Sequence, residues 1–299
     1  MQNSTIIPEN NIGLVISKHG IELIIEDSNG LHIRCIPRKK LPPIVSGDFV
    51  KWEKLSNDQG VVTALNPRTT LLSRPNNNGK VKPIAANISQ MLIVCAIKPD
   101  YDFSLIDNYL VAAELLKITP ILVINKIDLL NSNDFTNLKN KFSCYDKLNY
   151  QLYFTSILKS NIMKSFTKGL DKQTSIFVGQ SGVGKSSLIN FLLPNLNLKT
   201  RALNNSINLG KHTTSSTTLY HLPSSGSIID SPGVREFKLW NINHIEAAWS
   251  FPEFRPFINL CKFRDCVHLK EPGCAVKAAI EKNKITERRY QSYKRILSL

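Results

Sequence analysis

The residues from Gly179 to Ser187 read Gly179-Gln180-Ser181-Gly182-Val183-Gly184-Lys185-Ser186-Ser187, directly after the apolar run Ser175–Val178 and ahead of an apolar helical run ending at Leu193. That is G-x-x-x-x-G-K-[ST] in the context it needs, strand then loop then helix. Glycines let successive backbone N–H groups turn inward without a Cβ clash, which makes an anion nest at a helix N-terminus. A lysine at position 185 can set its charge against the β- and γ-phosphates of a nucleotide, and the Ser186 hydroxyl can ligate Mg²⁺. A chance match in an ordinary loop is the alternative, and the flanking strand and helix argue against it.

A phosphate loop does not choose its base. Asn125-Lys126-Ile127-Asp128 follows the apolar run Pro120–Ile124. A carboxylate at Asp128 can accept from the N1–H and the 2-amino group of guanine together. Adenine lacks that donor pair and would leave the charge unpaired, an asymmetry that gives strong selectivity. Asn125 would brace the loop, and the Lys126 stem would cover the base. Asp230-Ser231-Pro232-Gly233 follows the run Ser227–Ile229. There Asp230 can hold Mg²⁺ through a water, and Gly233 can offer its N–H to a γ-phosphate. Between these pieces lies Gly210-Lys211-His212-Thr213-Thr214-Ser215-Ser216-Thr217, in which Thr213 or Thr214 could close over the metal. A solvated polar loop is the bland reading of that stretch. In unpermuted GTPases the phosphate loop comes before Asn-Lys-x-Asp, whereas here Asn125 precedes Gly179. The same parts can still meet if the chain is circularly permuted, because domain termini often lie close together. Thr155-Ser156 then falls where a base-supporting loop is expected.

The 299 residues hold 38 Lys plus Arg against 23 Asp plus Glu, a net +15, with 42% apolar and 20% charged residues. Such a composition excludes disorder, collagen or coiled coil as the main state. No apolar run approaches the roughly 20 residues of a bilayer span, and Met1–Asn11 lacks the apolar stretch of a signal peptide. The expectation is a soluble, cytoplasmic protein, monomeric by default, with no membrane partner. The positive excess favours a nucleic-acid partner. Of six cysteines, Cys35, Cys95 and Cys144 are scattered, while Cys261, Cys266 and Cys274 lie within fourteen residues and enclose His268. In a cytosolic chain that clustering argues for metal over disulfide. Three buried cysteines and a surface histidine remain the alternative on spacing alone.

Three textures divide the chain. Residues 1–70 carry short alternating runs (Ile12–Ile16, Ile21–Ile25, Leu31–Ile36, Asp48–Trp52, Val61–Leu65) broken by turn residues, which predicts a five-strand barrel of OB or SH3-like type. Residues 71–83, with Arg74-Pro75-Asn76-Asn77-Asn78-Gly79-Lys80, read as a linker. Residues 84–240 alternate apolar strands with helical patterns, Phe103–Leu116 being the clearest, which predicts a mostly parallel sheet covered on both faces. Residues 241–299 hold the Cys/His cluster and a charged helical tail, Ala275–Leu297.

With this motif order, the barrel ahead and the Cys/His cluster behind, the chain resembles the RsgA (YjeQ) family of small ribosomal subunit biogenesis GTPases over nearly its whole length. The resemblance implies a multidomain α/β protein: an N-terminal OB-type β-barrel, a circularly permuted P-loop GTPase domain and a small C-terminal zinc-binding helical domain. It implies GTP and GDP as ligands with Mg²⁺, one structural Zn²⁺ on Cys261, Cys266, His268 and Cys274, and action on the 30S subunit and its 16S rRNA, with no DNA expected. Ser215 departs from the family's threonine run. Val234 stands where many GTPases carry a water-orienting glutamine, so slow intrinsic hydrolysis is expected, with His212 as the substitute. Trp52, Lys51, Lys54, Arg34, Arg38, Lys39 and Lys40 in the barrel, and Lys282, Lys284, Arg288, Arg289, Lys294 and Arg295 in the tail, are the expected rRNA contacts. Because the Asp230–Phe237 segment leads toward the zinc unit, nucleotide state is expected to reorient that unit. The competing readings are an RNA-binding assembly scaffold with a structural nucleotide site, and a P-loop ATPase.

Overall fold

The computed structural model describes residues 11–56, 58–75, 80–194, 217–231 and 242–298. The first strands follow the alternating runs: β1 (Asn11–His19), β2 (Glu22–Glu26), β3 (His32–Pro37), β4 (Phe49–Lys54) and β5 (Gln59–Leu65). They pair in the order β1-β2-β3-β5-β4, and β4 closes back on β1. The β3–β5 pair is parallel and the others are antiparallel. This closed order is the OB arrangement, which settles the choice that the alternating pattern left open. Val15, Leu23, Ile25, Ile33, Cys35, Val50, Trp52 and Val62 fill the interior.

Trp52 is the first correction. Expected on a base-stacking face, it is 2% exposed. The period-two alternation that sends Val50 inward sends Trp52 inward too, and a large ring gains more from the core than from water. Arg34, Arg38, Lys39, Lys40, Lys51 and Lys54 are exposed.

The stretch expected as a linker contains most of a hairpin, β6 (Leu71–Pro75) with β7 (Val81–Ala86). Leu72, Ala85 and Ala86 are buried, and that burial outweighs the turn-rich composition between the two strands.

The second unit is built on β8 (Gln90–Ala96), β9 (Thr119–Asn125), β10 (Gln151–Phe154), β11 (Thr174–Val178), β12 (Thr218–His221) and β13 (Ser227–Asp230). Their order is β10-β9-β8-β11-β13-β12, parallel except for β12. All seven residues of β8 are buried, as a strand covered on both faces requires. Met91, Ile93 and Cys95 face α1 (Phe103–Leu116) and α2 (Ser132–Lys147). Leu92, Val94 and Ala96 face α3 (Ser160–Lys168) and α4 (Lys185–Leu192). The chain runs from β8 outward to β9 and β10, then returns to the other side of β8 as β11. The crevice beyond the carboxyl ends of β8 and β11 is therefore a topological switch point, where open α/β sheets hold their ligands.

Short helices α5 (His244–Trp249), α6 (Arg255–Ile258), α7 (Ala275–Glu281) and α8 (Glu287–Leu297) form the third unit. The tail expected as one helix is two. Asn283 takes a left-handed φ of 55°, and Thr286 caps α8 by accepting from the Arg289 N–H. The core of this unit, with Phe251, Phe254, Tyr293 and Ile296, also takes in Val111 of α1.

Arg288 and Arg289 are the second correction. Arg289 is 1% exposed. Its guanidinium meets Asp107 of α1 at 2.6 Å and Glu253 at 2.6 Å. The fully buried Asp107 also accepts from Tyr145 at 2.7 Å and Ser292 at 2.5 Å. Arg288 lies 4.2 Å over the Phe103 ring. The helical period places Arg289, Ser292, Tyr293 and Ile296 on the face that meets α1, so these charges are spent inside the protein. Lys282, Lys284 and Arg295 stay exposed. Removing one partner of a buried pair strands the other charge. Asp107→Ala is therefore expected to cost about 3 kcal/mol or more of stability in chemical denaturation; an unchanged midpoint would show that the network contributes nothing.

Candidate active site and metal centre

The buried strand β11 delivers the phosphate loop to the switch point. Gly179, Gly182 and Gly184 have φ of 132°, 79° and 95°. Two of them also lack room for a side chain. A Cβ at Gly179 would sit 2.1 Å from the Val94 carbonyl oxygen, and one at Gly184 would sit 2.4 Å from Nδ2 of Asn125. Glycine is required there by conformation and by close approach together. The Lys185 ammonium is buried and donates to the Gly179 and Gln180 carbonyls at 2.5 and 2.6 Å. These two carbonyls hold it within the loop. Ser181, Ser186 and Ser187 are exposed, and Val183 is buried.

β9 delivers the second loop. Asn125 is 3% exposed; its Nδ2 donates to the Val183 carbonyl at 3.0 Å, and its Oδ1 accepts from Thr155 at 3.1 Å. Lys126 takes a left-handed φ of 63°, and its Nζ donates to the Gly182 and Lys98 carbonyls at 2.7 and 2.6 Å. Asp128 sits in a 3-10 turn, Ile127–Leu129, and accepts from the Ser156 hydroxyl at 2.6 Å. The Ile127 N–H donates to the Thr155 carbonyl at 3.2 Å. Loops that are reversed in sequence thus form one hydrogen-bonded rim. A negative carboxylate sits at one end of that rim and a cationic amine with a helix N-terminus at the other.

Asp230 ends β13 just beyond the Ile176–Ile229 pair, beside the last residues of β11. His212, Thr213, Thr214, Gly233 and Val234 lie outside the described residues. Two contributors carried no motif. Lys98 lends its carbonyl to Lys126, and Pro99 lies 3.5 Å from the Cβ position at Gly182. The Lys98-Pro99-Asp100 turn after β8 was their only signal.

Cys261, Cys266, His268 and Cys274 bring their donor atoms within 4.8 Å of one another. Nδ1 of His268 is 3.5 Å from the sulfurs of Cys261 and Cys274, which are themselves 3.9 Å apart. A tetrahedral ion with metal–sulfur bonds of about 2.3 Å and metal–nitrogen bonds of about 2.0 Å has edges near 3.5–3.8 Å. The three separations match edges of such a site, Cys266 completes the set within 4.8 Å, and four protein donors of this kind make a closed, structural site. Burial pushes the Cys266 thiol up to about 12 and holds the His268 pKa down. Thiols so placed ionise only against a cation. Glu271 fixes the surrounding loop by accepting the N–H groups of Val267, Leu269 and Lys270 at 3.1, 2.8 and 3.0 Å. Tyr290 and Tyr293 hold the carbonyls of His268 and Val267 at 2.7 and 2.9 Å.

A family profile described as RsgA GTPase matches residues 65–240, more than half of the chain. The small ribosomal subunit biogenesis GTPase RsgA 1 of Vibrio vulnificus is 44% identical over 95% of this chain and 82% of its own length. The chain belongs to the RsgA GTPase family. A Haemophilus influenzae RsgA is 41% identical over 97% of this chain and 85% of its own length. The crystal structure of YjeQ from Thermotoga maritima superposes with a TM-score of 0.80 at 30% identity, covering 96% of this chain and 97% of that one. YloQ, a circularly permuted GTPase, gives a TM-score of 0.77 at 28% identity, covering 100% of this chain and 96% of that one. Membership of a GTPase family implies a guanine nucleotide and Mg²⁺ as ligands. No helix among the described residues is long and apolar enough to cross a membrane.

Metal analysis of the full chain is expected to return one thiolate-bound divalent ion. Chelation or Cys274→Ala should lower the melting temperature by several degrees, on the order of the loss of one structural staple. Less than half an equivalent of metal, with no change in melting on chelation, would refute the site.

Proposed function

We propose that this chain is a GTP hydrolase that binds the small ribosomal subunit and assists its late maturation, with turnover stimulated by the subunit. The support is the rim itself: Asn125 and Lys126 hold the phosphate loop through the Val183 and Gly182 carbonyls, so one ligand can reach both ends. In this reading Asp128, steadied by Ser156, accepts the two guanine donors, and Thr155 and Asn125 keep its loop in place. Ile127 anchors that loop from below. Backbone N–H groups from Gly179 to Lys185 surround the phosphates, and Lys185 moves its charge onto the β- and γ-oxygens. Ser186 and Asp230 would hold Mg²⁺, which would supply electrostatic stabilisation of the charge that develops on the phosphoryl oxygens. Ser187 continues the phosphate end of the site, Thr213 or Thr214 completes the metal side, and Gly233 meets the γ-phosphate. His212 orients the attacking water in place of a glutamine at Val234.

The same proposal divides the chain into a barrel for rRNA over residues 1–70, a stretch over 71–83 that carries most of the β6–β7 hairpin, the permuted GTPase over 84–240 and a zinc-binding unit over 241–299. The ion on Cys261, Cys266, His268 and Cys274 is Zn²⁺ by donor set. The exposed Arg34, Arg38, Lys39, Lys40, Lys51 and Lys54 of the barrel, with Lys282, Lys284, Lys294 and Arg295, supply the grip on 16S rRNA. The protein works in the cytoplasm as a monomer.

GTP turnover with and without purified 30S subunits tests the central reading. Stimulation of at least tenfold is expected, and its absence would favour a scaffold with a structural nucleotide. His212→Ala should lower the stimulated rate roughly 100-fold, the usual scale for a positioned catalytic group; an equal rate would remove His212 from the chemistry. Asn125→Ala strands the buried Val183 carbonyl and should weaken GDP binding about tenfold or more, read by fluorescence titration. Unchanged affinity would break the link between the two loops.

A further inference from the structure

The barrel does more than sit beside the GTPase sheet. Its residues Ile44–Asp48, between β3 and β4, are all buried. They form a tongue pressed against the strands that carry the metal side of the site. Asp48, fully buried, pins the tongue from within. Its carboxylate accepts the Val45 N–H at 2.8 Å and pairs with Arg68 through two contacts of 2.7 Å. Backbone bonds tie the tongue to β1 and β7: Gly47 N–H to the Val15 carbonyl at 2.9 Å, and Ala86 N–H to the Ser46 carbonyl at 3.0 Å. Asn87 donates to the Gly47 carbonyl at 2.8 Å. Gly47 has a φ of 89°, and a Cβ there would lie 2.2 Å from the Ala86 carbonyl oxygen and 3.2 Å from Ile229, the residue before Asp230.

At the tip, Ser46 is 1% exposed and donates its hydroxyl to the Thr217 carbonyl at 2.7 Å. Thr217 is the last residue of the hydroxyl-rich segment 210–217. Its own hydroxyl donates to Ser231 at 2.9 Å, and Ser231 adjoins Asp230. The next residue, Thr218, pairs with Asp230 across β12–β13 and with Ser17 of the barrel. A barrel residue thus fixes the backbone where two metal-side segments meet.

We propose that Ser46 is a positioning residue for hydrolysis. Through Thr217 and Ser231 it sets the geometry at Asp230, and it makes the barrel's engagement with the subunit felt at the metal. This rests on the reading of Asp230 as a Mg²⁺ residue. This chain of hydroxyls runs to the Asp230 side of the site, so its loss is expected to act on turnover and leave GDP affinity largely alone. Coupling through a chain of contacts has to be measured rather than assumed from proximity, and a double-mutant cycle does so.

The test uses the full-length chain with Ser46→Ala, Thr217→Val and the double variant. Melting temperature and GDP affinity serve as folding controls. Basal GTP turnover is titrated with Mg²⁺, and turnover is then measured with purified 30S subunits. Ser46→Ala is expected to raise the half-saturating Mg²⁺ concentration and lower subunit-stimulated kcat, each by roughly threefold to tenfold, the scale of one hydrogen bond. KM for GTP and GDP affinity should stay within about twofold by the same reasoning. Ser46→Cys, near in shape and a weaker donor, should fall between. The double variant should be no worse than the poorer single variant, as one route predicts. An unchanged Mg²⁺ requirement and kcat in Ser46→Ala would overturn the proposal, as would a loss of kcat matched by loss of GDP affinity. Asp230→Asn separates the two failures. If it leaves the Mg²⁺ requirement unchanged, the site reading falls and the relay with it. A shift in Asp230→Asn with none in Ser46→Ala removes the relay alone.

Discussion

Two carbonyl groups of the phosphate loop, those of Gly182 and Val183, are taken by side chains that precede them by more than fifty residues. The site depends on that constraint. It requires Asn125 to be buried at the end of β9 and Lys126 to accept a left-handed backbone. It also keeps Gly184 free of a side chain, because Nδ2 of Asn125 occupies the space. The parallel sheet makes the contact possible. β9, β8 and β11 are neighbours, and their carboxyl ends open on the same edge. Chain order is irrelevant to that geometry. A permuted connection leaves the three strand ends where an unpermuted one would put them.

The C-terminal unit is fixed by a different kind of contact. Asp107 and Arg289 are both removed from water and satisfied by Tyr145, Ser292 and Glu253. A pair so buried gives orientation more than net stability. The idea that nucleotide state swings this unit through the segment after Asp230 meets an obstacle here. Any large rotation would pull Arg289 and Ser292 from Asp107 and leave that buried carboxylate without its guanidinium partner. Motion compatible with this network carries α1 along with α8. Since α1 begins just past the Lys98-Pro99 turn against the phosphate loop, the zinc unit has a second physical attachment to the nucleotide rim.

Much of this was legible in the residues because the signals were local. The β11–loop–α4 sequence, the buried run before Asn125 and the alternation of the barrel strands each declare one element and one orientation. The Cys/His group was visible as a cluster, although its tetrahedral edges needed coordinates. Two causes account for what escaped: burial decided by partners far away in sequence, and polar local composition that masked an element. Trp52 and Arg289 have the composition of a nucleic-acid surface, and only packing shows that they face inward, while the half-buried Arg288 is tied to Asp107 and Tyr145. The β6–β7 hairpin hid behind asparagines and a glycine. Helix α2 starts at an Asn131 cap, where the side chain accepts from Asp134, a local cue outweighed by its many polar residues. The tongue at Ser46 had no motif at all, because a serine and a glycine in a turn look the same whether solvated or wedged between domains.

The sheet runs without interruption from β10 through β12 into the barrel, where β1 meets β12 at Ser17 and Thr218. Strand β12 is only four residues long, and the barrel lies along its outer rim. Cutting the chain between barrel and GTPase would uncover that rim and offer its amides and carbonyls to other molecules, the usual start of edge-to-edge clumping. Shortened versions that lack the barrel should therefore be sticky as well as impaired, and poor behaviour in such fragments would reflect a lost chaperoning neighbour rather than a missing ligand.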